Sequence, residues 1–143
     1  MTRVDFYILR AEALEERWLF GCRLAEKAYR AGHRVYLHTG NPELSKTLDD
    51  LLWSFRNDSF LPHNLLDEAQ PVRANVEIGH GHDPLDHADV LINLANDIPN
   101  FFSRFTRVAE VVVQEPAVLE STRKGFGFYR DRGYPLQTHD LRQ

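Results

Sequence analysis

The 143-residue chain has a single cysteine, Cys22, and no run near the roughly 18 consecutive apolar residues that a membrane-spanning helix needs. One thiol cannot form an intrachain disulfide, so the fold must stand on its core, which suits a reducing cytoplasm. The apolar opening, residues 4–9, is short, flanked by Arg3 and Arg10 and interrupted by Asp5, so no signal peptide is expected. Net positive charge is missing too. The formal balance is −4, which argues against a protein that coats duplex nucleic acid through its phosphates. Glycine-rich phosphate loops are also lacking. The turn after the first apolar run reads Arg10-Ala11-Glu12-Ala13-Leu14, with no glycine and with acids where a pyrophosphate needs close backbone approach. Ser103, Ser121 and Cys22 have no His or acid partner at a recognisable spacing, and there is no nucleophile elbow.

What is present is an alternation of strand and helix patterns. Residues 4–9 read as a buried strand. Residues 11–31 read as a helix, with Leu14, Trp18, Cys22 and Ala25 on one face and Gly32 as its stop. Residues 34–38 make a second strand. Asn41 and Pro42 then open a helix as N-cap and first helical residue, its apolar side being Leu44, Leu48, Leu51 and Leu52. Strands are expected over 72–78, 90–94 and 108–113, with a short helix over 99–105 and a last helix over 116–132 stopped by Gly133 and Pro135. Five strands interleaved with helices predict one α/β domain spanning residues 1–143. Its expected form is a three-layer sandwich with a mostly parallel five-stranded sheet and helices on both faces. The topology is nucleotide-binding-like, without a nucleotide site.

Three features invite function. Residues 53–65 form an apolar connection, with Trp53, Phe55, Phe60, Leu61, Pro62 and Leu65, richer in large apolar groups than a surface loop requires. His63 in this connection reads as a structural or interface residue rather than a general base. The stretch from His80 to His87, with His82, Asp83, Asp86 and then Asp89, carries metal-ligand residue types. A small metal-dependent α/β enzyme using this loop is the alternative reading. Glycines flank His80 and His82 and leave them poorly braced, so no functional metal is expected, and changing His80, His82 and His87 together should leave the melting temperature nearly unchanged. Finally, residues 121–143 carry +3, leaving −7 on the remainder. On the last helix Leu119, Arg123, Phe126 and Arg130 share a face, which could grip a short acidic peptide ending in an apolar residue. A core role for Phe126 with solvated arginines fits the same spacing.

Several segments together resemble the chi subunit family of bacterial DNA polymerase III. They are Phe6-Tyr7-Ile8-Leu9, Leu52-Trp53, Ser59-Phe60-Leu61-Pro62-His63-Asn64-Leu65, Pro71-Val72 with Val76, and Asp89-Val90-Leu91-Ile92-Asn93-Leu94. Phe105, Val108, Arg123 and the ending Phe128-Tyr129-Arg130…Gly133-Tyr134-Pro135-Leu136 continue the match. The resemblance covers nearly the whole chain.

It implies a cytoplasmic, non-catalytic accessory subunit without a cofactor, bound to nucleic acid only indirectly and to no membrane. One surface would take the psi subunit of the clamp-loader complex, through Trp53, Phe60, Pro62, His63, Asn64 and Leu65. A repair helicase could use the same surface. The other would take the C-terminal tail of single-stranded-DNA-binding protein, through Val112, Leu119, Arg123 and Phe126, with Arg123 on the tail carboxylate. Two departures stand out. The family pattern has a lysine at position 119 and a tyrosine at position 126, so one charge and one hydroxyl are missing here. Lys124 is close in sequence but about 100° around the helix from Arg123.

Overall fold

A computed structural model of the chain describes residues 1–55, 61–66, 74–80, 84 and 87–143. Strand β1 (Arg3–Leu9) leads into helix α1 (Leu14–Arg30), then β2 (Val35–His38) and α2 (Pro42–Ser54). Two short strands follow, β3 (His63–Leu65) and β4 (Val76–Gly79), then β5 (Val90–Asn93). A single 3-10 turn (Phe102–Arg104) precedes β6 (Arg107–Val112), α3 (Pro116–Asp131) and β7 (Leu136–Leu141). The strands form one sheet in the order β3-β4-β2-β5-β6-β1-β7. All of its described pairings are parallel.

Helix ends follow local chemistry. Asn41 Oδ1 accepts the Leu44 amide at 2.8 Å, the N-cap that the sequence implies. Both long helices that end in glycine close with the same motif. Gly32 (φ 92°) and Gly133 (φ 79°) adopt the left-handed conformation. Around them, the His33 and Tyr134 amides reach back to the carbonyls of Ala28 and Tyr129. At α3, Pro116 takes the first position and the Glu115 carboxylate accepts the Ala117 and Val118 amides.

The two faces of the sheet make two cores. Leu37, Val76, Ile78, Ile92 and Val111 pack under Cys22 and Ala25 of α1 and Leu48 and Leu52 of α2. Val4, Phe6, Leu91, Val108 and Val112 pack on the other face, under Val118 and Tyr129 of α3 and under Phe102 and Phe105. The strands of a parallel sheet are covered on both sides, so their apolar runs are continuous rather than alternating.

Four expectations need correction. The sheet has seven strands among the described residues, not five. The additions are β3, inside the segment read as a loop, and β7, which reads Leu136-Gln137-Thr138-His139-Asp140-Leu141 and lies at an edge. The helix expected to start at residue 11 starts at Leu14. The short helix expected over 99–105 is only the 3-10 turn. The strand expected from residue 72 begins at Val76, with 72–73 outside the described residues.

Candidate functional site

Neighbouring strands β1 and β6 send the chain to opposite faces, to α1 and α3. Open α/β sheets bind ligands at such a switch point. A cavity of about 540 Å³ opens there, between α3 and the segment after β5. Arg17 and Glu110 in its wall are held by hydrogen bonds to their neighbours. Arg17 of α1 is 4% exposed and donates from Nε to the Val111 carbonyl at 2.8 Å. Its other nitrogens donate to Asn96 Oδ1 at 2.9 Å and to the Ala95 carbonyl at 3.0 Å. Glu110, half-buried on β6, accepts the Tyr129 hydroxyl at 2.7 Å and the Asn93 amide at 3.1 and 3.2 Å. Burial pushes its carboxyl up to about 7, against these two hydrogen bonds. Burial also lowers the pKa of the Arg17 guanidinium, opposed by the charges of Glu110 and Glu115. The helix amides that could receive a phosphate at α3 are taken by Glu115. The crevice is therefore a pinned polar joint between α1, β5, β6 and α3. Nothing in the apolar periodicity marks Arg17 or Glu110. Their only sequence signal is a charge interrupting an apolar face.

The described residues of the histidine-rich segment do not converge. His87 is fully buried, with Nε2 2.7 Å from Glu77 Oε1. His80 Nδ1 lies 2.9 Å from Ser45 Oγ. Asp89 accepts the Arg34 amide at 3.0 Å and lies 3.0 Å from His33 Nδ1. His82, Asp83 and Asp86 are outside the described residues. Among the described residues no group of three or more His, Cys, Asp or Glu side chains could hold a metal. His87 is thus a core residue rather than part of a loose loop, so changing His80, His82 and His87 together is now expected to lower the melting temperature.

The first candidate surface is built where α2 ends beside edge strand β3. Trp53, in the last turn of α2, is 62% exposed. One side of its ring is braced by His63, centroids 4.5 Å apart. The His63 side chain has no exposed surface. Its Nδ1 lies 2.7 Å from the Leu61 carbonyl, and its Nε2 lies 3.2 Å from Asp49 Oδ1. Leu61 and Leu66 on either side are buried and anchor the strand. Asn64 donates to Glu77 Oε2 at 3.1 Å and accepts the Ala74 amide at 2.7 Å. Pro62, Leu65 and Trp53 are left facing solvent. Five of the six expected residues are therefore contiguous. Phe60 lies outside the described residues.

The second surface lies on α3. Phe126 is 36% exposed, its ring 5.4 Å from Phe6. Leu119 is half-buried against the same core, and Arg123 is exposed and makes no ion pair among the described residues. Lys124 is engaged elsewhere, 3.4 Å from Glu120. Val112 is 2% exposed at the end of β6, so it supports this surface from beneath.

Comparisons with known proteins agree over nearly the whole chain. A family model described as "DNA polymerase III chi subunit, HolC" matches residues 1–137. The chain is 48% identical over 141 residues to the DNA polymerase III subunit chi of Pseudomonas aeruginosa, covering 99% of this chain and 98% of that one. It is 31% identical to the Escherichia coli K12 protein of the same name, covering 96% and 97%, and 30% identical to that of Haemophilus influenzae, covering 96% of each. Among solved structures, T4 UvsW matches with a TM-score of 0.67 at 8% identity, over 98% of this chain and 42% of that one, a likeness of fold alone. The chain belongs to the DNA polymerase III chi subunit family, an accessory rather than a catalytic part of the polymerase.

Proposed function

We propose that the chain is a cytoplasmic adaptor that joins the psi subunit of the clamp loader to the C-terminal tail of single-stranded-DNA-binding protein. In this role it ties the polymerase to coated template and does no chemistry of its own. The observation that carries this reading is Trp53. A tryptophan 62% exposed, braced by a buried histidine and flanked by exposed Pro62 and Leu65, has the composition of an interface anchor rather than of a core residue. Phe60 would join it. Support for the second contact is the exposed Arg123, without an ion pair among the described residues, beside Leu119 and Phe126, which offers a guanidinium next to an apolar wall. The charged groups at the switch point, Arg17 and Glu110, are engaged internally.

The test is separation of function. Trp53→Ala and Phe60→Ala should lose capture by immobilised psi while keeping a calorimetric titration with a tail peptide. Arg123→Ala should do the reverse. If the Trp53 and Phe60 variants stay folded and still bind psi fully, that surface is misplaced.

A further inference from the structure

A third feature lies on the α1 face of the sheet. Helix α1 packs on β5 and β6, and toward β1 it reaches Tyr7 through Phe20, the two rings lying 5.5 Å apart. On that side of β1, Tyr7 is only half-buried, whereas Val4 and Phe6, under α3, are 0% and 2% exposed. This strip forms a groove of about 480 Å³, with Phe20, Leu24 and Ala28 of α1 as one wall and Tyr7 in its floor. His139 of β7 prolongs the floor, its ring stacked on Tyr7 at 4.5 Å and 8°.

The groove is apolar inside and cationic at its rim. Arg23 and Lys27, one turn apart on α1, line one side, and Arg107 of β6 lies across from them. Neither Arg23 nor Lys27 has a salt-bridge partner among the described residues. The acids nearby are already engaged. Asp5 is buried and shared by Arg107 at 2.8 Å, Arg3 at 3.3 Å and His139 at 3.0 Å. Asp89 is held by His33 and the Arg34 amide. A surplus of positive charge therefore borders an apolar strip in a chain whose net charge is −4.

We propose that this groove docks an extended acidic segment of a partner protein. The segment would lay an aromatic or aliphatic side chain on the Tyr7 floor against the Phe20 wall and set carboxylates against Arg23, Lys27 and Arg107. Rim charges of this kind steer and orient an oppositely charged partner, and the apolar strip supplies the burial. A nucleic-acid strand suits the groove less well. The net charge of −4 on the chain repels a polyphosphate. The groove lies on the face opposite α3, so the inference does not rest on the Arg123 contact.

The test is a nuclear magnetic resonance titration of the isotope-labelled full chain with the blocked peptide acetyl-Asp-Glu-Phe-Asp-Glu-Leu-amide. Having no free carboxylate terminus, this peptide lacks what Arg123 is expected to hold. Amides of residues 20–31 and 139–141 should shift. Arg23→Glu with Lys27→Glu should weaken binding roughly 10-fold or more, whereas Arg23→Lys should keep it and Arg123→Ala should leave it unchanged. The proposal is overturned by no shifts at millimolar peptide, by shifts centred on residues 119–126, by affinity unaffected in the charge-reversed variant, or by tighter binding of oligothymidylate to the same residues.

Discussion

His87 Nε2 lies 2.7 Å from Glu77 Oε1, and neither side chain has any exposed surface. The other carboxylate oxygen of Glu77 accepts Asn64 of edge strand β3 at 3.1 Å. A residue that reads as part of a polar loop is thus one end of a buried chain of contacts reaching the Trp53 surface. His87→Ala should cost about 1–3 kcal/mol, because it removes a hydrogen bond to a buried acid. For a domain of this size that lowers the melting temperature by a few degrees. His80→Ala, which loses a part-buried contact to Ser45 rather than one to a buried acid, should cost less. Urea denaturation of the two variants side by side measures the difference, and equal midpoints would sink this reading of His87.

Stability should also respond to pH through Glu110. Its carboxyl is raised from the ordinary 4.5 to about 7 in the fold by burial, against the bonds from Asn93 and Tyr129. Between those values the folded state binds more protons than the unfolded one. Stability therefore falls as pH rises from 4.5 through 7. Because the group is half-buried and borders a cavity, the swing should be on the order of 1–2 kcal/mol. Glu110→Gln should flatten this slope. Asp5 acts with opposite sign and in a lower window. Burial alone would raise its carboxyl, but the bonds from His139 and Arg107 outweigh that and hold it below 3.8. Its contribution is present above that value and lost as pH falls further. Thermal melts of the parent and Glu110→Gln between pH 5 and 8, set points chosen around the Glu110 window, read the effect directly.

Trp53 and His63 touch, yet their truncations should differ in kind. Trp53 is 62% exposed, so Trp53→Ala should change stability by no more than about 0.5 kcal/mol. At the proposed psi interface the same change should cost over ~2 kcal/mol of binding. His63 is buried and bridges Leu61 to Asp49, so His63→Ala should lose both fold stability and psi affinity. Paired denaturation and binding curves separate the two behaviours.

On α3 the leucine at position 119 gives a gain-of-function test. Leu119→Lys should strengthen binding of a free acidic tail peptide and steepen its salt dependence, because a second cation joins Arg123 one turn away. Arg123→Ala should weaken the same peptide roughly 10- to 100-fold, the worth of a partly desolvated charge-assisted bond. Amidating the peptide's terminus should cost a comparable factor in calorimetry. Indifference to amidation would remove the carboxylate role even if the pocket proved correct.

The elements were legible where local chemistry is strong. Asn41-Pro42, Gly32 and Gly133 mark helix ends by caps and handedness, which depend on a few neighbouring residues. Strand β7 was not legible, because an edge strand with one open flank carries Gln137, Thr138 and Asp140 and shows no apolar run. Strand β3 is three residues long and follows a proline, so it looks like the loop that surrounds it. Of the site, the exposed tryptophan was visible as an excess of apolar groups in a connection. The burial of His87, Glu77 and Arg17 and the bonding of Glu110 were not. Each depends on a partner outside its own strand or helix, and a single strand or helix pattern holds no record of that partner.

The strand order has a mechanical consequence. The Trp53 surface sits at the β3 edge, and α3 lies over the β1 end, with β4, β2, β5 and β6 between. A pull applied between these two regions runs across the strands. It strains the rows of inter-strand hydrogen bonds in series, so the sheet yields at its shortest row rather than sharing the load. That row is the pairing of β3 with β4, which joins three residue pairs where β1 and β6 join six. Tension on the chain should therefore detach the β3 edge first, at low force, leaving the remaining sheet folded beneath α3.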